Sequence, residues 1–241
     1  MSVRLDRLLS NLGYCSRKET GKLIRSGAVT DLEGKPYKKA SDKANASEVL
    51  LNGVPLDPAE LILLMNKPEG FTCSHSDRPP LIYELLPERY FLREPQLSCV
   101  GRLDKDTTGL IMLTDNGQLL HRLISPNWKV EKVYQVETAH PVEEQQVARL
   151  AEGGWCLPED DKPLAPAQCR KTGDRSLELI LTEGRYHQVK RMVAAVGNHL
   201  TSLHRSRFGE WELGDLKPGE WKLFSPAERN RLATSCGLPL D

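Results

Sequence analysis

The chain predicts an α+β fold with a mixed sheet, divided into two parts. Segments with helical and with strand periodicity intermix, without the regular strand–helix–strand rhythm of a parallel sheet. Two short apolar runs, Leu61–Met65 and Leu110–Leu113, have the length and uniformity of strands buried on both faces. Between the basic N-terminal stretch and the first of these runs lies Leu56-Asp57-Pro58-Ala59-Glu60, where proline breaks a β ladder and a linker is expected. These observations divide the chain into a small unit over 1–58 and a larger one over 61–236.

The elements follow in order. Leu5, Leu8, Leu9 and Leu12 recur at helical spacing, and Gly13 stops that helix. Ser16-Arg17-Lys18-Glu19 reads as a capping box, with the serine hydroxyl and the glutamate each satisfying a free N–H. It opens a second helix that runs to about Ser26. Leu23 and Ile24 can face the first helix, while Lys18, Lys22 and Arg25 share the other side. Short strands are expected at 28–30 and 49–51, the latter ending in the Asn52-Gly53 turn signal. The polar stretch 38–47 leaves the strand register between them open.

In the larger unit, Leu61–Met65 reads as a strand and Asn66–Gly70 as a turn. Helices are expected at 118–125 and 142–150, and strands at 130–137 and 177–181. Val189, Met192, Val193 and Val196 form the apolar stripe of a helix ended by Gly197. Strand-like pieces surround Trp211 and Trp221. Ser225-Pro226-Ala227-Glu228 starts a last helix, with proline at its first position.

Composition excludes several classes. No apolar run is long enough for a membrane-spanning helix, and the first residues lack a signal-peptide core, so a cytoplasmic protein is expected. The six cysteines form no CxxC pair and the histidines no HExxH, so no metal and mostly buried, reduced thiols are expected. Net charge is zero, but its distribution is uneven. From Arg4 to Lys43 ten bases face five acids, and a second basic run extends from Arg185 to Arg207 with no acid inside it. Local basic surfaces on a neutral chain fit a nucleic acid held at defined places.

The segment Gly101-Arg102-Leu103-Asp104-Lys105-Asp106-Thr107-Thr108-Gly109-Leu110 sets two carboxylates and an arginine between apolar runs, where charges must be paired or used. With Glu131-Lys132-Val133-Tyr134 and Glu183-Gly184-Arg185-Tyr186-His187-Gln188-Val189-Lys190-Arg191-Met192, it resembles the RNA pseudouridine synthases. The Arg185–Met192 wording is most similar to the branch that modifies bacterial small-subunit (16S) ribosomal RNA. Two short helices with a basic face resemble the S4-type RNA-binding module.

The resemblance implies isomerisation of uridine to pseudouridine in RNA without a cofactor. Asp104 then becomes the essential carboxylate, either attacking the ribose or removing a ribose proton. Lys190, where many relatives carry arginine, becomes its cationic partner. Tyr134 stacks on the target base and Arg102 holds the nucleotide out of its helix. Arg185, His187 and Gln188 line the cleft, Asp106 and Thr107 hold the loop by side-chain-to-backbone bonds, and Arg17, Lys18, Lys22 and Arg25 contact RNA. The implied partner is ribosomal RNA in a small-subunit assembly intermediate, met by a monomer. Three rival readings stand beside this one: a synthase acting on 23S RNA, a non-catalytic S4-type binding factor, and a glycosidase using Asp104 and Asp106 as acid and base.

Overall fold

The computed structural model describes residues 2–238. Its N-terminal part contains β1 (Val3–Arg4), α1 (Leu5–Asn11), α2 (Arg17–Arg25), β2 (Val29–Thr30), β3 (Lys43–Ala44), β4 (Leu50–Leu51) and β5 (Val54–Pro55). The leucine stripe of α1 packs with Ile24, Val29 and Val49 into a small core of its own. The polar stretch 38–47 supplies β3, which pairs with β1, while β2, β4 and β5 form a separate antiparallel sheet. Asn52 and Gly53, both at positive φ, make the tight turn between β4 and β5. The capping at α2 differs from the expected box. Glu19 accepts from the Ser16 N–H at 2.9 Å, but the Ser16 hydroxyl donates to the same carboxylate at 2.6 Å instead of capping the helix.

The larger part contains β6 (Ile62–Lys67), α3 (Glu88–Phe91), β7 (Ser98–Cys99), β8 (Thr108–Thr114), α4 (Gly117–Ile124), β9 (Lys132–Thr138), α5 (Glu144–Ala151), β10 (Gln168–Gly173), β11 (Ser176–Leu181), α6 (Gln188–Ala195), β12 (Leu200–Phe208), β13 (Trp211–Glu212), β14 (Trp221–Leu223) and α7 (Pro226–Ser235). Its sheet runs β10-β11-β9-β12-β8-β6-β14, with β13 beside β12 and β7 beside β8. Only the β12–β8 pairing is parallel, so the sheet is mixed. Cores lie on both faces: Leu61, Leu63 and Met65 point into one, Ile62 and Leu64 into the other. That alternation explains why β6 reads as uniformly apolar.

The structure departs from the sequence reading at several places, among them α3 and β10, which lie where no element was expected. β6 continues through Asn66 and Lys67, both buried, where a turn was expected to begin. β12, at the centre of the sheet, was missed because its polar residues mask any alternation. The expected linker is a fixed junction. Asp57 accepts from Tyr14 at 2.9 Å, from Arg89 at 2.6 Å and from Tyr90 at 3.1 Å, joining residues from both parts. Gly13 is needed there, since a Cβ would lie 2.0 Å from the Arg89 carbonyl oxygen at φ +79°.

Candidate active site

The loop between β7 and β8 carries Asp104, and buried groups fix it from below. Lys67, fully buried at the end of β6, donates to the carbonyls of Lys105 (3.2 Å), Thr107 (2.8 Å) and Pro68 (3.1 Å). Burial lowers the pKa of its ammonium. Gly109 allows the loop to enter the sheet, because β12 lies so close that a Cβ there would be 2.3 Å from the Arg205 carbonyl oxygen. Asp106 and Thr107 do not hold the loop as expected. The Thr107 hydroxyl is buried without a partner, and Asp106 pairs with Lys190.

Lys190 projects from the first turn of α6. Its ammonium lies 3.0 Å from Asp104 and 2.5 Å from Asp106. Burial opposes charge on Lys190, but the two carboxylates outweigh it and raise its pKa. Asp106 is pushed upward by burial, and its bond to Lys190 brings the net pKa below the usual carboxylate range. His187, in the left-handed region at φ +48°, begins the helix and places Nε2 3.4 Å from Asp104. The exposed Tyr186 ring stacks on it at 3.8 Å.

The expected cleft residues divide into two groups. Asp104, Arg102, Tyr134, His187 and Lys190 line one cavity of about 470 Å³. Tyr134 is a buried residue of β9, and Arg102 is an exposed rim residue 3.5 Å from Asp77. Arg185 and Gln188 also border the cavity, but their polar groups serve the fold. Gln188 is buried, accepts from the Arg185 N–H at 2.8 Å and donates to Glu183 at 2.8 Å, closing the turn into α6. The Arg185 guanidinium is bound by Asp160, Glu183 and the Pro163 carbonyl, beside an Arg191–Asp160 pair. Arg207 pairs with Glu131 and Arg205 is buried. The second basic run is therefore largely neutralised or enclosed, and not the open basic surface that its composition suggests.

Two further cations line the cavity, and the loop motifs did not single them out. Lys132 is two residues before Tyr134 on β9, and Arg205 of β12 is the cross-strand partner of Tyr134. Burial, aided by the Arg205 charge, brings the Lys132 pKa down to about 8. The alternation Leu203, Arg205 on β12 was the available signal, once β12 is recognised as a strand. A larger groove of about 600 Å³ on the opposite face of the sheet involves Glu178 and Arg207, already paired with Arg170 and Glu131. The carboxylate–lysine chemistry lies in the smaller cavity. Elsewhere, the expectation of mostly buried thiols holds only for Cys73 and Cys236. Cys15, Cys99 and Cys169 are partly exposed and Cys156 is open to solvent, all free.

A carboxylate, a cation sharing it and a buried aromatic lining the same cavity make a site able to grip and react with a planar, unstacked ring. Asp104 and Asp106 converge on one ammonium, so they do not flank a sugar as a glycosidase pair would. The RNA pseudouridylate synthase profile matches residues 61–195, and the chain belongs to that family of enzymes. It is 38% identical over 231 residues to the ribosomal small subunit pseudouridine synthase A of Pasteurella multocida, covering 94% of this chain and 97% of that one. Identity to the protein of the same description from Escherichia coli K12 is also 38%, over 94% of this chain and 98% of that one. A crystal structure of a pseudouridylate synthase, 36% identical, matches 96% of this chain and all of that one with a TM-score of 0.66. No helix among the described residues is long and apolar enough to cross a membrane.

Proposed function

We propose that the protein isomerises a uridine of small-subunit (16S) ribosomal RNA to pseudouridine, in the cytoplasm and as a monomer, on a partly assembled particle. The observation that carries the reaction is the Lys190 ammonium held between Asp104 and Asp106 beside Tyr134 in one cavity. The small-subunit specificity draws support from the relatives' descriptions and from the Arg185–Met192 wording.

Asp104 supplies the carboxylate that acts at the ribose, and the Lys190 ammonium 3.0 Å away orients it. A lysine is a point charge rather than a planar fork, so Asp106 on its other side helps fix its position. Tyr134 stacks on the extruded base, an interaction worth about 1–3 kcal/mol. Arg102, exposed at the rim, holds the flipped nucleotide. Residues 1–58 form an S4-like module in which Arg17, Lys18, Lys22 and Arg25 meet phosphates. All four are exposed and none is in an ion pair among the described residues.

The test is hydrogen release from C5 of labelled uridine in small- and large-subunit RNA, each free and as particles, with modified positions then mapped by primer extension. Release is expected from small-subunit RNA, most from the partly assembled particle. Single-stranded targets must be splayed from a loop that a mature particle would hide. Preference for large-subunit RNA would overturn the substrate assignment.

A further inference from the structure

Cleaving the C1′–N1 bond sends its electron pair to the base, so the detached uracil carries one negative charge. If the Asp104 carboxylate attacks, an O–C1′ bond forms as C1′–N1 breaks. C5 then displaces the carboxylate from C1′, and the C5 proton ends on N1. If Asp104 instead takes the C2′ proton, the sugar becomes a glycal, that proton returns to C2′ as C5 adds to C1′, and the C5 proton again ends on N1. Both routes conserve every atom, and both pass through a uracil anion that must turn inside the cavity without escaping. In both routes the Asp104 carboxyl is engaged with the ribose, so other groups must meet the charge on the base.

We infer that Lys132 and Arg205 form an anion hole for the detached uracil. Both line the cavity that holds Asp104 and Tyr134. Lys132 shares the face of β9 with Tyr134, and Arg205 sits directly across from Tyr134 on β12. The pair shares one aromatic wall, with the Lys132 ammonium 5.7 Å and the Arg205 guanidinium 5.3 Å from the Phe208 ring centre.

Neither cation has a carboxylate partner among the described residues. Lys132 donates to the Val130 carbonyl at 2.9 Å, and Arg205 donates through Nε to the Leu110 carbonyl at 2.8 Å. Arg205 is 2% exposed, and its Nη2 is buried without any hydrogen-bond partner. The acid whose charge reaches Lys132, Glu183, is already bonded to Arg185 and Gln188. Two neighbouring positive charges drawn out of water, with one buried donor unpaired among the described residues, oppose folding unless an anion is the intended guest. Preorganised donors aimed at a charge that develops only during reaction stabilise the transition state more than the ground state.

The inference rests on the isomerisation proposed above, and wild-type conversion of uridine RNA is the control that separates failure of one from failure of the other. The experiment compares Lys132→Met with wild type under single turnover on two RNAs, one carrying uridine and one carrying 5-fluorouridine at the target. Formation of the C5-linked nucleoside is read by nuclease digestion and chromatography; on the fluorinated RNA no C5 proton can leave, so that product keeps fluorine on C5 and a C6=N1 bond open to water. Fluorine withdraws electrons, so the departing base bears its charge more easily and needs the cations less.

The variant is expected to slow uridine conversion by on the order of 10²-fold, with RNA affinity within about twofold of wild type. The slowing on the fluorinated RNA should be smaller by at least roughly threefold, while Lys132→Arg keeps most of the rate. A merely structural role would slow both RNAs equally. That result overturns the assignment, as does an unchanged rate or a loss accounted for by weaker binding. Should Lys132→Met melt early, Lys132→Gln, which can keep the bond to Val130, carries the same comparison.

Discussion

In the cleft, Lys67, Lys132, Lys190 and Arg205 are drawn wholly or partly out of solvent, and distant segments place them. Lys190 meets Asp106 across 84 residues of sequence, and Arg205 bonds to Leu110 across 95. On α2, Arg17, Lys18, Lys22 and Arg25 stay in water on one short helix, and the local backbone alone brings them together. In the roles proposed above, Lys132, Lys190 and Arg205 act at fixed points on a single nucleotide, where position decides the rate, while Lys67 holds the loop. The role proposed for those on α2 is on a polyanion, where number and spacing decide affinity. The contrast predicts that changes in the cleft alter turnover at constant affinity, and changes on α2 do the reverse.

The largest expected effect is that of Asp104→Asn. Replacing the carboxylate with an amide keeps its shape and removes its charge, so turnover should fall by on the order of 10⁴-fold or more. Melting temperature and RNA affinity should stay near wild type. Turnover within tenfold of wild type, measured by C5 hydrogen release, would remove Asp104 from its role.

Lys190→Met comes next, with an expected loss of on the order of 10²–10³ in turnover and partial recovery in Lys190→Arg. The contrast would break if Lys190→Met weakened RNA binding in proportion to the rate.

The Asp57 junction sharpens the comparison by lying between the two regions. Burial pushes the Asp57 pKa up, and hydrogen bonds from Arg89 and Tyr14 outweigh it, leaving the folded value below the unfolded one of about 3.9. Its contribution is therefore complete above the unfolded pKa and is lost as pH falls through the folded value. Asp57→Asn should destabilise the protein by about 1–3 kcal/mol at neutral pH, less where the partly open Arg89 is screened by solvent. The variant's stability should also decline less steeply than wild type's as the pH is lowered into the acid range. Parallel denaturation curves at neutral and acid pH would refute this.

The smallest effect is expected from the triple variant Lys18→Gln, Lys22→Gln, Arg25→Gln. Its rate at saturating RNA should match wild type, and its slope of log affinity against log salt should fall by about 0.7 per lost contact with single-stranded RNA. An unchanged slope would make α2 a structural cap.

Apart from the single-turn α3, the helices were legible in the sequence because their determinants are local. The spacing of Leu5, Leu8, Leu9 and Leu12, the glycine stops, and the Ser225–Glu228 cap each act within a few residues. The cap at Ser225 forms both reciprocal bonds, while at Ser16 the hydroxyl turned to the carboxylate, a choice between partners of similar strength that no pattern decides. Strand β12 escaped because Arg205 is polar in composition yet occupies a core position. Its neighbours on both sides, β9 and β8, enclose it, and they come from 70 to 100 residues earlier in the chain.

The site divides in the same way. The motif order by itself determined that Asp104, Tyr134 and Lys190 belong together, and that the chain carries the family's chemistry. Tertiary structure alone decided that Asp106 shares Lys190, that Lys67 holds the loop, that Arg185 and Gln188 bond within the turn, and that Lys132 and Arg205 line the cavity without a carboxylate partner among the described residues. The physical reason is that pairing and burial depend on which side chains the sheet register brings within a few ångströms. That register is set by packing across the whole domain, and no local stretch of sequence contains it.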